Sequence, residues 1–152
     1  MNIKISLLPI AFIFIFLLSG CTKDAVDQQA VDLEKIKTFL NNSGIEAQYS
    51  ESGFYYVISV PGSESKPTVN STVTVKYKGT LMTGATFDES NSFTSPLSSL
   101  ITGWQLGIPL IGTGGRIKLY LPSTLGYGNR VTGTIPANSI LIFDVTLNAF
   151  SN

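Results

Sequence analysis

Two short stretches of this chain alternate so regularly that they limit the architectures open to it. In Thr72 to Leu81, Val73, Val75 and Tyr77 fall on one side, while Thr72, Thr74, Lys76 and Lys78 fall on the other. Arg116 to Leu121 repeats the pattern, with Ile117, Leu119 and Leu121 set against Arg116, Lys118 and Tyr120. Side chains on an extended strand point alternately to opposite faces, so each stretch reads as a strand with one dry and one wet face. Phe54 to Val60, aromatic and β-branched and closed by Pro61-Gly62, reads as another strand, and Ile140 to Leu147 as a fourth. A dry sheet face needs an apolar partner. Gly103 to Leu110 offers a turn or two of helix led by Trp104, because Pro109 blocks its continuation. With long polar loops such as Asp88 to Ser99, this predicts an α+β fold in which a curled antiparallel sheet wraps over a short helix.

Ahead of the sheet, Val31, Ile36, Phe39 and Leu40 recur at helical spacing, with Asp32, Glu34, Lys35 and Lys37 between them. Asn41-Asn42-Ser43-Gly44 supplies a stop. An amphipathic N-terminal helix with its connection is therefore expected over 30–50, and the main domain over 51–152. The apolar stripe of that helix serves as a docking face or, alternatively, as a dimerisation seam.

The first twenty residues read as an address rather than as structure. Lys4 precedes an apolar run from Ile5 to Leu18, and Leu18-Ser19-Gly20-Cys21 follows. The run is about fourteen residues and contains Pro9, whereas a helix spanning hydrocarbon takes roughly twenty. A secretory signal over 1–20 is the expectation. Cys21 is the only cysteine, so no internal disulfide can form, and an exported free thiol would be a liability. Leu18-Ser19-Gly20-Cys21 resembles the bacterial lipobox, which implies that Cys21 is acylated and becomes the new N-terminus. The other reading is an ordinary cleaved signal with a leftover thiol. Stable anchoring takes at least two lipid signals, which the multiple acylation implied by the resemblance would meet. Residues 21–29, polar and without periodicity, would then be a tether. Thr22 stands where an aspartate would retain a lipoprotein at the inner membrane, so the expected location is the bacterial cell envelope, at the outer membrane, with the leaflet left open.

Removing the signal leaves about 130 residues, enough for one domain with a proper core. Lysine plus arginine equals aspartate plus glutamate, at 10 each, and the cations are scattered, so no face offers itself to nucleic acid. The chain has no histidine, which removes the commonest metal ligand and the usual general base. Neither a metal nor a cofactor is expected. Gly112-Thr113-Gly114-Gly115 lacks the lysine and following helix of a phosphate loop and reads as a turn.

Several segments in one order resemble the FKBP-type peptidyl-prolyl cis-trans isomerases. They are Val73 to Leu81, Thr86-Phe87-Asp88, Leu100 to Trp104, Leu121-Pro122 through Gly126-Tyr127-Gly128, and Ile135-Pro136 with Leu141 to Val145. The resemblance covers roughly Phe54 to Ala149. It implies a proline-binding cleft in which Tyr77, Phe87, Asp88, Trp104, Tyr127 and Phe143 do the catalytic work, with Leu100, Ile101, Ile135 and Phe93 contacting substrate. Trp104 would be the floor, the other rings the walls, and Tyr127 with the Ile101 N–H the donors to peptide carbonyls. Isomerising an X-Pro bond means losing amide resonance over a barrier of about 18 to 20 kcal/mol, which needs no nucleophile, metal or proton base. The resemblance implies proline-containing segments of exported proteins as substrates and macrolides such as tacrolimus and rapamycin as inhibitors, with a monomer expected. The alternative is a low-turnover binding or chaperone module using the same cleft. Asp88 taken alone could be a turn residue; Asp144 is read as structural.

Overall fold

Asp27 opens the first helix by accepting hydrogen bonds from the N–H groups of Gln29 and Ala30 at 3.1 and 3.3 Å. The helix, α1, spans Gln28–Asn42. It closes as the stop signal requires: Gly44 takes a left-handed conformation, φ 64°, and the Ile45 and Gly44 N–H groups return to the carbonyls of Leu40 and Asn41. The computed structural model describes residues 27–152. The expected signal, Cys21 and most of the expected tether lie outside the described residues, while Gln28 and Gln29, assigned to the tether, are already helical.

Six strands follow: β1 (Gln48–Ser50), β2 (Phe54–Val60), β3 (Thr72–Leu81), β4 (Thr86–Pro96), β5 (Arg116–Leu121) and β6 (Leu141–Ser151). They form one antiparallel sheet in the order β1-β2-β5-β6-β3-β4. A short helix, α2 (Thr102–Gly107), lies under its concave face. The α+β class and the curled sheet over a helix are as the alternating stretches predict. Val73, Val75, Ile117, Leu119, Leu121, Val145 and Leu147 all point into this inner core and are fully buried.

The seating of α2 follows from two glycines one turn apart. A Cβ at Gly107 would stand 2.6 Å from a Leu119 methyl, and one at Gly103 would collide with Leu121. The helix can therefore lie directly on β5, and this close approach sets the height of Trp104 beneath the sheet.

The outer face is not uniformly wet. Ile36 and Leu40 of α1 cover Tyr120 and Ile140, with Phe39, Tyr55, Val57 and Ile142 packed around them. Tyr120, expected on the solvent side, is thus 2% exposed, and the stripe of α1 docks on its own domain. Asp32, expected among the solvated charges, is fully buried. Beyond α1 the face is open, and Arg116 there grips Asp144 through two bonds of 2.8 and 2.6 Å, which agrees with a structural role for Asp144.

The segment expected as a polar loop, Asp88 to Ser99, is mostly strand: β4 runs to Pro96, and Leu97–Ser99 is a single helical turn. Its serines, Asn91 and Glu89 hide the alternation because β4 is an edge strand, hydrogen-bonded only to β3, and two register shifts break its period. Gln48–Ser50, expected as connection, joins the opposite edge.

Two outcomes follow. Ile36→Ala removes a buried side chain that locks α1 to the sheet and should lower unfolding free energy by about 2–4 kcal/mol in a urea titration; a loose helix would give a change near zero. The Arg116 guanidinium holds the Asp144 carboxyl below the usual aspartate range. A depressed carboxylate stabilises above its unfolded pKa and loses that contribution as pH falls through its folded value. Because the pair is part-exposed, Asp144→Asn should cost only about 0.2–1 kcal/mol near neutral pH, and the gap to wild type should close as pH falls below the ordinary aspartate range.

Candidate functional site: an aromatic cleft

The concave side of the sheet opens into a small cleft of about 120 Å³ lined by Tyr77, Phe87, Asp88, Phe93, Leu100, Ile101, Trp104, Tyr127 and Phe143. Four elements, one turn and the Leu100-Ile101 segment ahead of α2 build it. β3 contributes Tyr77, β4 contributes Phe87, Asp88 and Phe93, α2 contributes Trp104, β6 contributes Phe143, and the turn after β5 contributes Tyr127. Every residue marked by sequence as catalytic is brought here, as are Leu100, Ile101 and Phe93 from the substrate-binding set. Ile135 is not among the lining residues. It is 5% exposed within the inner core and bridges to Thr132 in the loop before β6.

The rings meet edge to face. Trp104, 4% exposed, lies 5.0 Å from Tyr77 and 5.2 Å from Phe143, centroid to centroid, at 81° and 84°. Phe87 meets Phe143 at 5.5 Å and 87°, and Phe93 meets Tyr77 at 5.9 Å and 74°. Such arrangements set the positive edge of one ring against the negative face of the next. They leave a box with aromatic walls and an indole floor. The indole Nε1 is buried without a hydrogen-bond partner among the described residues.

A single carboxylate edges the box. Tyr77 donates its hydroxyl to Asp88 Oδ2 at 2.6 Å. Burial above all, and then that bond and the field of Asp88, push the Tyr77 hydroxyl well above the ordinary tyrosine range. Tyr127 is raised too, by burial first and then by Asp88. Both phenols are therefore neutral, and the Asp88 side chain is exposed enough to face solvent and a guest together.

Two residues at the cleft escaped the sequence reading. Gly79 lies on β3 between Phe143 of β6 and Asp88 of β4 in register. A Cβ there would stand 2.6 Å from the Phe87 ring and 2.9 Å from Phe143, so the two rings meet because that position carries no side chain. Gln105 donates to the Leu100 carbonyl at 2.7 Å and to the Ser98 carbonyl at 3.2 Å, which pins the rim carrying Leu100 and Ile101. Gly79 belongs to a segment quoted for the resemblance, but nothing in its composition says that two rings press on it. Gln105 gives no sequence signal.

A larger depression of about 670 Å³ on the outer face is lined by Lys76, Lys78, Glu89, Arg116 and Asp144 among others. It holds the Arg116–Asp144 pair and is lined mainly by charged and polar side chains. Among the described residues no group of three or more His, Cys, Asp or Glu side chains is placed to hold a metal ion. No helix among them is long and apolar enough to cross a membrane.

A curled sheet over one short helix thus carries a small ring-lined cleft edged by one carboxylate. The chain belongs to the FKBP-type peptidyl-prolyl cis-trans isomerase family, whose profile matches residues 63–148. It is 39% identical over 131 residues to the isomerase FkpA of Aeromonas hydrophila, covering 84% of this chain and 48% of the relative. To FkpA of Escherichia coli strain K12 it is 40% identical over 129 residues, 82% of this chain and 47% of the relative. The chain thus spans about half the length of the curated relatives it matches. Among solved structures, that of Escherichia coli FkpA superposes with a TM-score of 0.72 at 38% identity, covering 85% of this chain and 62% of that one. A peptidyl-prolyl isomerase from Pseudomonas syringae superposes with a TM-score of 0.70 at 29% identity, covering 82% and 96%.

Gly79→Ala should displace Phe87, shift its ring resonances and those of Phe143, and lower stability by about 1–3 kcal/mol through overpacking. Unmoved ring signals would mean that the wall does not depend on the missing side chain.

Proposed function

We propose that this protein is a membrane-anchored peptidyl-prolyl cis-trans isomerase that accelerates X-Pro isomerisation in exported proteins. The observation that carries the reading is the cleft itself: five rings around Trp104, with the Tyr77–Asp88 pair at its edge, in a chain of this family. The uncatalysed step takes tens to hundreds of seconds. A proline ring seated over Trp104 would be fixed by shape. Its preceding carbonyl, turned out of conjugation, would meet ring edges of positive character and little water. The Tyr127 hydroxyl and the Ile101 N–H would hold the flanking peptide by donating to its carbonyls. Asp88 would orient Tyr77 through their bond and present its other oxygen to the substrate. No covalent bond to the protein forms or breaks.

The anchor in this proposal is Cys21, acylated after removal of the signal, which would confine the cleft to the neighbourhood of the bacterial envelope, with the outer membrane as its site. Supporting that part are the Lys4 and apolar run, the Leu18-Ser19-Gly20-Cys21 sequence and the solitary cysteine. Proline-containing segments of exported chains are the proposed partners, with tacrolimus-type macrolides as competitors for the cleft.

The test is isomerisation of a series of X-Pro peptides by the full chain in detergent, with Asp88→Ala and a pocket-filling macrolide as controls. Acceleration that falls in both controls supports the enzyme. A folded protein that binds the peptides without accelerating any of them replaces it with a binding module. The pH profile gives a second check. With no histidine in the chain and both cleft phenols raised, turnover should stay level from about pH 6 to pH 10, crossing the ordinary imidazole and approaching the ordinary phenol ranges without a step. A raised phenol contributes its stability fully below the unfolded pKa, so unfolding should become easier only above about pH 10. A limb near pH 7 would contradict the assignment.

A further inference from the structure

We propose that α1 is a positioning element for the cleft: its buried carboxylate, Asp32, holds the turn after β5 and through that turn sets the place of Tyr127. The proposal rests on the reading of Tyr127 as a cleft donor. It concerns a helix that lies before the 63–148 segment matched by the family profile.

Asp32 has 0% exposure. A carboxylate so buried is costly unless each oxygen is satisfied. Here Oδ2 accepts both the N–H of Ser123 at 2.8 Å and its hydroxyl at 2.6 Å, while Oδ1 accepts the Gln28 amide at 2.7 Å. One turn earlier on the same face of α1, Gln29 accepts from the Thr124 hydroxyl at 3.1 Å. Two successive residues of the turn are thus fastened to two successive turns of the helix, across some ninety positions of sequence.

What they fasten is the support of Tyr127. The Ser123 carbonyl accepts the N–H groups of Gly126 at 3.0 Å and Gly128 at 2.8 Å, the residues on either side of Tyr127. The Gly128 carbonyl in turn accepts the Asn138 N–H at 2.8 Å. The turn lies between β5 and β6 and takes no part in their ladder. Besides the packing of Leu125 and Tyr127 on the core, hydrogen bonds hold it, and those at its leading end run to α1. Moving Ser123 moves the carbonyl on which both neighbours of Tyr127 hang. The interaction is a doubly donated, charge-assisted one, the kind that fixes geometry as well as contributing energy.

The roles separate cleanly by substitution. Asp32→Ala removes both acceptors. Asp32→Asn keeps one oxygen for Ser123, and the Gln28 amide can turn over to face the new NH2, so it is the conservative rescue. Ile111→Ala, at the opposite end of β5 and fully buried, serves as a variant that loses stability without touching the turn.

The experiment has two readouts on the full chain in detergent. In the first, tyrosine ring signals are followed by NMR, Tyr127 being assigned by its disappearance in Tyr127→Phe. Asp32→Ala should shift or broaden the Tyr127 signal, Asp32→Asn should largely restore it, and Ile111→Ala should leave it in place. An unmoved Tyr127 signal in Asp32→Ala overturns the proposal whether or not the wild type is active. In the second, kcat/KM is measured with an X-Pro peptide well below every melting transition. Misplacing a group near the reacting atoms is expected to cost roughly tenfold or more, so Asp32→Ala should fall by that order and Ile111→Ala should stay near wild type. The double variant Asp32→Ala/Tyr127→Phe should be no worse than Tyr127→Phe alone, because Asp32 acts through that hydroxyl. Losses that multiply in the double variant, or an equal loss in Ile111→Ala, overturn the proposal. A wild type without turnover refutes the isomerase reading instead and leaves the NMR arm to decide this one.

Discussion

The molecule depends on one rung of its sheet. Gly79 stands between Phe143 on β6 and Asp88 on β4, with Tyr77 two residues before it on the same strand. The long pairing of β3 with β6, from Thr72 opposite Ser151 to Leu81 opposite Leu141, fixes that rung. A slip of one residue would turn every inward side chain outward. With the register set and no side chain at Gly79, the Phe87 and Phe143 rings can close on each other and Asp88 can reach the Tyr77 hydroxyl. The cleft is thus a property of strand register before it is a property of any ring.

Below the sheet a second close approach completes it. Gly103 and Gly107 let α2 settle onto Leu121 and Leu119, which places Trp104 against Tyr77 and Phe143. Above the sheet, α1 covers Tyr120 and ties the turn that carries Tyr127 to Asp32. Each layer therefore delivers one part of the site: floor from α2, walls from the strands, a phenol held in place from the outer helix. Close packing of the layers leaves the cleft walls little room to shift.

Much of this was legible in the residues. Period-two alternation marked β3 and β5 because each has a face committed to the core, and the helical spacing with its Asn-Asn-Ser-Gly stop marked α1. The short helix was legible from Trp104 and Pro109. Gathering Tyr77, Phe87, Asp88, Trp104, Tyr127 and Phe143 into one place required the family resemblance, since no local pattern says that residues on different strands share a cleft. β4 was hidden because an edge strand with register shifts can be polar and aperiodic. Asp32 was hidden because a lone carboxylate among helix charges looks solvated until Ser123 arrives from far along the chain. Tyr120 was assigned to water because alternation identifies faces but cannot say what else will cover them.

The proposed function requires a proline ring seated on Trp104, and the chain has a single tryptophan, so its indole signal needs no further assignment. The most direct measurement follows that indole N–H resonance while an X-Pro peptide is added to the full chain in detergent, beside the same peptide with alanine in place of proline. A saturable shift with the proline peptide and none with the alanine peptide is the predicted result. No shift with either peptide, or the same shift with both, would contradict the claim.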